Sequence, residues 1–321
     1  MEMVSVIIPN WNGKDFIEGC LRSLRTQTYQ DLEIIMVDNG STDGSIELVQ
    51  GSFPKVKIVC LAWNKGFSGA VNEGIKRGKG EFIALLNNDT VADSRWVEEL
   101  VKGINSSKEI GCCASRILDS TGMAIDTAGD TYTRYGVAIK RGHHVETKRF
   151  LQEELVFGAC GGAALYRRSM LDEVGFFDED FFCVYEDVDL SFRAQLGGFK
   201  CLYVPTAIVY HKVGGTMGRN NDFILYYGQR NLEFVFIKNM PFSLLIKYLP
   251  LHMEYLLLAL IYNLLRNKGG LFLRSKIDAL KQIRIILNKR KQVQRGGKVS
   301  SHYLKTILYK RSLLKHLSGA I

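Results

Sequence analysis

Short apolar runs alternate with helical patterns over the first hundred residues. The strand-like runs are residues 4–8, 32–37, 56–61 and 82–86. Between them, apolar residues recur at helical spacing in the segments 15–25, 45–50 and 64–77. Strands and helices that alternate in such short units predict a mostly parallel sheet flanked by helices, with right-handed crossovers. The expected fold class is therefore α/β and Rossmann-like.

The alternation stops after Ile110, which suggests a second half of different construction. Residues 111–165 combine short strand-like runs with Gly-rich loops, followed by a helical pattern at 186–196, a strand at 201–204 and a helical pattern at 223–238. From Phe242 the chain becomes strongly apolar and then basic. We expect a catalytic domain over residues 1–240, with halves of about 1–110 and 111–240, and a helical membrane-associating region over 241–321.

The formal net charge of +9 belongs to the C-terminal tail. Fifteen of the 42 Lys and Arg residues, but only one of the 33 acidic residues, lie between Arg266 and the C-terminus. Such a tail favours an anionic membrane surface as a partner. No RNA- or DNA-reading module is visible in the sequence, so a nucleic-acid partner is not expected.

The seven cysteines show no C-x-x-C pair and no zinc-site spacing. An odd number of cysteines in apolar segments indicates buried free thiols in a reducing compartment. The chain enters its first strand within a few residues, without a secretory signal pattern. We therefore expect the catalytic domain to be cytoplasmic.

Polar residues follow three of the predicted strands at the point where each strand ends. Asn10 and Asn12 follow the first strand, Asp38 follows the second, and Asn88 and Asp89 follow the fourth. The carboxyl ends of parallel strands line one crevice, where α/β proteins bind ligands. One such cluster is commonly a helix-capping turn, but three of them favour a polar ligand. Because neither G-x-G-x-x-G nor G-K-[ST] is present, a divalent metal is the natural counter-ion for phosphates.

Six ordered motifs resemble those of the family 2 inverting glycosyltransferases with the GT-A fold, and more narrowly of their rhamnosyltransferase-like branch. The motifs are VSVIIPNWNG, IIMVDNGSTDGS, NKGFSGAVNEGI, LLNNDT, YEDVDLSFR and YHKVGGT. They run in order from Val4 to about Asn239, roughly three-quarters of the chain. The resemblance is specific for the family and implies a nucleotide-diphosphate sugar as donor, but it does not identify the sugar.

The resemblance implies a set of donor-binding residues. They are Pro9, Asn10, Asn12, Asp38, Asn39, Asn64, Gly66, Asn88 and Arg230. Asp38 would accept a hydrogen bond from a pyrimidine base, while Asn64 and the backbone at Gly66 would meet the diphosphate. Arg230 would contact a phosphate. The alternatives are a plain helix cap for Asn64 and a surface salt bridge for Arg230.

The resemblance also implies a divalent metal ion, Mg or Mn. Asp89 would be its carboxylate ligand, and His211 a second ligand or a diphosphate contact; the alternative for His211 is a structural role. Asn87 stands where a first Asp is common in the wider fold. A site with a single carboxylate should hold metal weakly until the donor's phosphates complete it. Residues 214–216 would form a loop that closes over the donor.

Three carboxylates lie together in the segment that begins at Tyr185. By resemblance, Asp187 is the catalytic base that takes the acceptor's proton, and Glu186 orients it or the acceptor. Asp189 is better explained as a cap or structural partner. The alternative is that all three acids simply complement the dipole of a helix. The Gly-rich segment 158–162 would form the floor of the acceptor site.

The apolar segment Phe242–Leu265 is long enough to span a bilayer, which needs roughly 20 residues. Lys247, Pro250, His252 and Glu254 interrupt its first half, and a charge near mid-span is costly. Basic amphipathic patterns follow at 271–287 and 303–317. We expect helices that lie in the membrane interface, peripheral or monotopic on the cytoplasmic face. The alternative is a helical cap packed on the catalytic domain.

The expected function is metal-dependent hexosyl transfer in polysaccharide biosynthesis. The expected donor is dTDP-rhamnose, from which rhamnose is transferred, and the expected acceptor is a lipid-linked or cell-surface polysaccharide. The first alternative is a UDP-sugar donor such as UDP-galactofuranose or UDP-GlcNAc. The second is a nucleotide-sugar-binding subunit that has lost catalysis. The sequence leaves the linkage and the oligomeric state open.

Overall fold

The structure is a computed structural model, and it describes residues 2–212 and 221–310. Its strands are β1 (Val4–Asn10), β2 (Leu32–Asp38), β3 (Lys57–Cys60), β4 (Phe82–Leu86), β5 (Thr90–Ala92), β6 (Ile110–Asp119), β7 (Ile125–Thr127), β8 (Asp130–Tyr132), β9 (Ala138–Lys140), β10 (Glu154–Val156), β11 (Ala163–Arg167) and β12 (Lys200–His211). Its helices are α1 (Lys14–Arg25), α2 (Ser45–Ser52), α3 (Gly66–Arg77), α4 (Trp96–Ile104), α5 (Arg168–Val174), α6 (Glu186–Leu196), α7 (Asn221–Asn239), α8 (Phe242–Leu265), α9 (Gly269–Lys281), α10 (Ile283–Arg295) and α11 (Ser301–Ile307), with a short 3₁₀ turn at Glu179–Phe181.

One twisted sheet organises the catalytic half of the molecule. Strands β3, β2, β1 and β4 are parallel neighbours in that order. Beyond them, β11 runs antiparallel between β4 and β6, β12 is parallel to β6, and β10 forms the outer edge. The register pairs Asn10 with Asp38, so two predicted site residues lie side by side at the carboxyl ends of their strands.

Helices cover both faces of the sheet and bury its side chains. On one face, α1 and α4 pack over the strands through residues such as Leu21 and Trp96. On the other face, α3, α5 and α6 contribute residues such as Val71 and Leu190. Because both faces are covered, the parallel strands are apolar along most of their length, as in β4, where all five residues are buried. The predicted α/β class with flanking helices is confirmed.

Two predicted elements differ from those observed. The strand predicted at 201–204 continues through Pro205 to His211, because a register irregularity between Val204 and Ile208 lets β12 keep its pairing with β6. The single basic helix predicted at 271–287 is instead two helices, α9 and α10, that meet at Gln282. Residues 311–317 of the last predicted helix lie outside the described part of the chain.

The C-terminal helices pack on the catalytic half through one buried stripe of α8. The stripe consists of Leu244, Tyr248, His252, Tyr255, Ala259 and Asn263, spaced three or four residues apart. His252 stacks on Phe236 and bonds Glu233 at 3.0 Å, and Lys276 of α9 bonds the same carboxylate at 2.7 Å. The predicted boundary at residue 240 therefore falls between α7 and α8, but packing contacts cross it.

Within the described residues, α8 is the one helix that is long and apolar enough, by length and composition, to cross a membrane.

Candidate active site

The predicted nucleoside-binding residues form one hydrogen-bonded group at the ends of β1, β2 and β4. The Asn10 amide donates to Asp38 Oδ1 at 3.0 Å and accepts from Asn88 Nδ2 at 2.8 Å. The other Asp38 oxygen accepts from the Ser41 backbone N–H at 2.9 Å. Asn12, in a left-handed conformation with φ 49°, accepts from the Thr42 backbone N–H. These bonds fix the orientation of side chains that the chain separates by up to 78 residues.

Pro9 belongs to the same group of strand ends. It lies in β1, opposite Val37 of β2, and it directly precedes Asn10. Proline fixes the backbone φ angle, which stiffens the approach to the polar segment that follows. The side chain of its neighbour Trp11, by contrast, is 43% exposed at the rim of the crevice.

A second group surrounds the start of α3. The Asn39 side chain donates to Asn64 Oδ1 at 2.9 Å and accepts from the Lys65 backbone N–H at 2.8 Å. Asn64 Oδ1 also accepts from the Gly66 N–H at 2.8 Å, so the Asn64 oxygen closes the turn that opens the helix. Gly66 has φ +76°, and an added Cβ would lie 2.4 Å from the Phe182 carbonyl oxygen. Only glycine fits this position, where the start of α3 touches the loop that precedes α6.

Asp89 and His211 meet although 122 positions separate them in the chain. The strand β5 pairs antiparallel with β12 and places Thr90 opposite His211. His211 Nε2 lies 3.3 Å from Asp89 Oδ1, and His211 Nδ1 lies 3.1 Å from Asp126 Oδ2. Burial opposes protonation of the imidazole, but its hydrogen bonds to Asp126 and Asp89 outweigh burial and raise the pKa of His211 to about 9.

Sequence reasoning missed Asp126, which lies in β7. Its carboxylate is almost fully buried and bonds Lys140 Nζ at 2.9 Å in addition to His211. His143 Nδ1 lies 3.4 Å from Asp126 Oδ1. Although burial works in the opposite direction, hydrogen bonds from His143 and His211 hold the pKa of Asp126 far below its usual value. The sequence signal that could have identified Asp126 is the presence of two acids, Asp126 and Asp130, in one short segment. The apolar pattern predicted no definite strand for that segment.

The side chains of Asp89 and His211 are suitable ligands for a divalent metal ion, but they would supply only part of its coordination sphere. A carboxylate oxygen and an imidazole nitrogen 3.3 Å apart are close enough to bind one ion. Among the described residues, no group of three or more His, Cys, Asp and Glu side chains is arranged to hold a metal. Further ligands would have to come from water or from the phosphates of a bound nucleotide, which is the usual mode for Mg²⁺.

Glu186 and Asp187 begin α6; Glu186 is buried and Asp187 is half-buried. The Gly161 N–H donates to Asp187 Oδ2 at 2.8 Å, and the Val188 N–H donates to Asp187 Oδ1 at 2.8 Å. Within the described residues, Glu186 Oε2 has no hydrogen-bond partner. Burial raises the pKa of both carboxyl groups, and the charge of Asp187 raises that of Glu186 further. The predicted floor segment 158–162 thus contacts the predicted base directly.

Another buried acid, Asp130, lies close enough to be influenced by Asp187. Burial, followed by the charge of Asp187, raises the pKa of Asp130 to about 8. The neighbouring Asp189 has a different role. It bonds Arg193 Nε at 2.9 Å and Lys238 Nζ at 2.7 Å, so it is the structural partner that the sequence indicated.

Arg230, predicted to bind the sugar donor, makes its contacts with the loop that precedes α6 and not with the other predicted donor-binding residues. Its guanidinium is buried and donates to the carbonyl oxygens of Asp180 and Phe181, at 2.7 and 3.1 Å. It also lies 4.8 Å from the ring centroid of Tyr227. The exposed salt bridge considered for this residue is therefore wrong, because burial and these bonds tie the side chain to the loop before α6. The observed bonds do not favour a phosphate contact either. The predicted closing loop at 214–216 lies outside the described residues.

Comparison with known proteins identifies the relatives of this chain. The sequence model of the family described as Glycosyl transferase family 2 matches residues 5–175, more than half of the chain. The N-acetylglucosaminyl-diphospho-decaprenol L-rhamnosyltransferase of Mycobacterium tuberculosis is 27% identical over 242 residues, covering 68% of this chain and 79% of that protein. The poly-beta-1,6-N-acetyl-D-glucosamine synthase of Staphylococcus epidermidis is 26% identical over 223 residues, covering 68% of this chain. The chain spans about half (52%) of that synthase.

Among solved structures, a mannosyltransferase from Pyrobaculum calidifontis in complex with GDP-Man and Mn²⁺ has the same fold. The TM-score is 0.57 at 17% identity, over 97% of this chain and 88% of the other. The likeness confirms the GT-A-like architecture along nearly the whole chain. At this identity it does not extend to the bound ligands.

Proposed function

Because the chain belongs to glycosyl transferase family 2, we propose that it transfers a sugar, with inversion, from a nucleotide-diphosphate sugar to a lipid-linked or polysaccharide acceptor. One observation carries the proposal. Asn10 and Asn88 link Asp38 to the segment that carries Asp89, which lies beside His211. In the same segment, the Asn87 backbone N–H donates to the Gly162 carbonyl oxygen, next to the Gly161 N–H that bonds Asp187. These residues form one polar region at the strand ends of a single sheet. The three groups suit a nucleoside, a diphosphate and an acceptor hydroxyl, in that order.

The nucleoside would bind where Asn10, Asp38 and Asn88 are already fixed by one another. Asp38 Oδ1 accepts from Asn10 and Oδ2 from the Ser41 backbone, so the carboxylate is held rigidly. A carboxylate oxygen has room for more than one donor, so an imide N–H of a pyrimidine can add to these bonds. Preorganisation of this kind reduces the entropy lost when the ligand binds.

Asp89 and His211 would hold a divalent ion, Mg or Mn, together with the donor's diphosphate. When bound, such an ion neutralises the phosphate charge that grows as the diphosphate leaves. His211 binds a metal only as neutral imidazole, so Nε2, which lies 3.3 Å from Asp89 Oδ1, must carry no proton when the ion binds. Asp126 keeps Nδ1 of the same ring in place at 3.1 Å, which leaves Nε2 directed to Asp89.

Asp187 would remove the proton from the acceptor hydroxyl. The acceptor oxygen forms a bond to the anomeric carbon while the bond from that carbon to the diphosphate oxygen breaks, which inverts the configuration. The proton moves to the Asp187 carboxylate. Burial raises the pKa of this group above its ordinary value, which brings its basicity closer to that needed near neutral pH.

The donor sugar is proposed to be rhamnose from dTDP-rhamnose. The mycobacterial relative carries rhamnosyltransferase in its name and is matched over 79% of its length. The staphylococcal relative is named for N-acetyl-D-glucosamine, and it supports the alternative of a UDP-sugar. A subunit that binds nucleotide sugar without catalysis remains the third candidate.

A panel of nucleotide sugars tests the proposal. Thermal shifts with Mn²⁺ or Mg²⁺ should select dTDP-rhamnose over UDP-GlcNAc, UDP-galactofuranose and GDP-mannose. The selected donor should then release its nucleotide diphosphate when a lipid-linked glycan is supplied. A stronger shift with a UDP-sugar would replace the donor assignment. Binding without any release of nucleotide diphosphate would favour the non-catalytic subunit.

We further propose that α8 and α9 dock on the cytoplasmic face of an anionic membrane. Outside its buried stripe, α8 exposes a face of mostly apolar side chains, and α9, which packs on α8, exposes further ones. The members of this apolar face are Ile246, Leu249, Met253, Leu257, Ile261, Leu264, Leu265, Leu273, Ile277 and Leu280. Exposed basic side chains, among them Lys247, Arg274 and Lys281, lie on the same helices, and the exposed Arg266 lies between them. An exposed face this large is typical of a partner surface, and the adjoining positive charge suits anionic lipid.

Charges introduced into the apolar face should release the protein from vesicles. The variant Leu257→Glu, Leu265→Glu, Leu280→Glu should lose at least about 100-fold in affinity for vesicles with 30% anionic lipid, because burial of each leucine contributes about 1.5–3 kcal/mol. Vesicle co-sedimentation measures this affinity. The matched control is Met123→Glu, Leu151→Glu, Leu155→Glu, three equally exposed apolar residues of the catalytic half, and it should bind like the unmodified protein. Equal binding to neutral vesicles, or protease cleavage on both sides of sealed vesicles, would contradict the proposal.

A further inference from the structure

The loop that precedes α6 has an unusual backbone. Phe182, Val184 and Tyr185 all adopt positive φ angles, of 63°, 64° and 74°, although none of them is glycine. Side chains of these types rarely adopt this conformation, and the last two residues directly precede Glu186 and Asp187. We refer to residues 178–185 as the catalytic loop. Something outside the loop must hold it, because its own residues do not favour this shape.

Asn231 of α7 makes the central contact with the catalytic loop. Its fully buried side-chain amide lies 2.9 Å from the carbonyl oxygen of Phe181, 2.8 Å from that of Cys183 and 2.7 Å from that of Val184. Arg230 Nε donates to Asn231 Oδ1 at 2.9 Å, which fixes the amide nitrogen toward the loop. One amide group therefore meets the carbonyls on both sides of the turn at Phe182.

Other contacts hold the first part of the catalytic loop and the carbonyl group of Phe182. Lys238 Nζ bonds Asp178 at 2.6 Å, and Lys289 of α10 bonds Asp180 at 2.6 Å. On the donor side, the Phe182 carbonyl accepts from the Ser68 backbone N–H at 3.2 Å. The carbonyls of Cys183 and Val184, next to the candidate catalytic acids, are held by Asn231.

We propose that Asn231 is a positioning residue for catalysis: its amide holds the backbone of the catalytic loop so that Glu186 and Asp187 face the acceptor. The residue does not need to touch substrate. This inference rests on the proposed function, since it assumes that Asp187 acts on an acceptor hydroxyl. Arg230 then acts one step further out, by orienting the Asn231 amide and bonding the carbonyls of Asp180 and Phe181.

The variant Asn231→Asp tests the proposal at nearly constant shape. A carboxylate cannot donate to the three carbonyls, so the loop should loosen and kcat for transfer should fall about 100-fold, the scale of a misplaced catalytic group. The Kd for the nucleotide diphosphate should stay within threefold, because the donor-binding bonds of Asn10, Asp38 and Asn88 are untouched. The control is Asn263→Asp, an equally isosteric change at a buried asparagine of α8 that bonds the Ala259 carbonyl. An equal loss of kcat in both variants would overturn the proposal.

Hydrogen exchange of the unliganded protein gives an independent readout. Peptides that cover residues 178–190 should exchange faster in Asn231→Asp than in the unmodified protein, and no faster in Asn263→Asp. If Asn231→Asp does not fold, Asn231→Ser supplies the same comparison with a shorter side chain as the hydrogen-bond donor. Unchanged exchange in the loop would overturn the positioning role. Hydrogen exchange in the loop does not depend on sugar transfer. If the unmodified protein were inactive, the proposed function would be refuted. Faster loop exchange in Asn231→Asp would still show that Asn231 holds the loop.

Discussion

Asp187→Asn is expected to reduce the rate of sugar transfer by about 100-fold or more while the donor still binds. The substitution keeps the shape of the side chain and its bond from the Gly161 N–H, but it removes the basic oxygen that would take the acceptor's proton. General bases commonly contribute factors of about 10²–10⁴. Turnover with saturating donor and acceptor, together with the Kd for the nucleotide diphosphate, measures the two effects separately.

Two further substitutions make this result specific. Glu186→Gln should be less damaging than Asp187→Asn, because Glu186 is assigned the orienting role. Asp172→Asn, at an exposed carboxylate on α5, should leave the rate unchanged. A larger loss in Glu186→Gln would reassign the base to that residue. Loss of donor affinity in Asp187→Asn would place the residue in donor binding instead.

Asp89→Ala is expected to abolish the dependence of donor binding on metal. Without this carboxylate, His211 alone is too weak a ligand to anchor the ion that neutralises the diphosphate. The affinity for the nucleotide sugar in the presence of Mn²⁺ should therefore fall at least about 100-fold. A fall of this size corresponds to the several kcal/mol that a metal ion typically supplies to charge stabilisation. Calorimetric titration with the nucleotide sugar, with and without chelator, measures the difference.

The nucleoside without phosphates is the internal control for this variant. It should bind Asp89→Ala and the unmodified protein equally, because Asp38 and Asn10 recognise it without the metal. His211→Ala should weaken metal-dependent binding in the same direction. Donor affinity that is unchanged in Asp89→Ala, and insensitive to chelator, would remove Asp89 from the metal site.

Local sequence determined several of the helices and strands. The strand β4 and the helix α8 begin and end where the apolar pattern predicted, because the buried run Phe82–Leu86 and the long segment Phe242–Leu265 leave little choice of conformation. The polar residues at the strand ends also had to meet, since parallel neighbours place their carboxyl ends together. Asn10 and Asp38 are paired by strand register alone.

Longer-range packing decided what the side chains do. His211 reaches Asp89 because β12 continues past Pro205 along β6, and it meets Asp126 across 85 positions of the chain. Arg230 and Asn231 lie on a helix with an ordinary pattern, yet they bond backbone carbonyls about 50 residues earlier. Carbonyl groups have no sequence signature, so such partners cannot be found in the chain.

The C-terminal region shows the same division. The spacing of its apolar residues predicted that the region is helical, and its Lys and Arg content determined that it carries the positive charge. Only the tertiary structure decided that His252, which interrupts the apolar segment, faces inward to Glu233, while the leucines around it face outward. The reason is physical: a buried polar side chain needs a hydrogen-bond partner with matched geometry, and that partner comes from another helix. Sequence therefore determined which groups are present, and packing determined which of them meet.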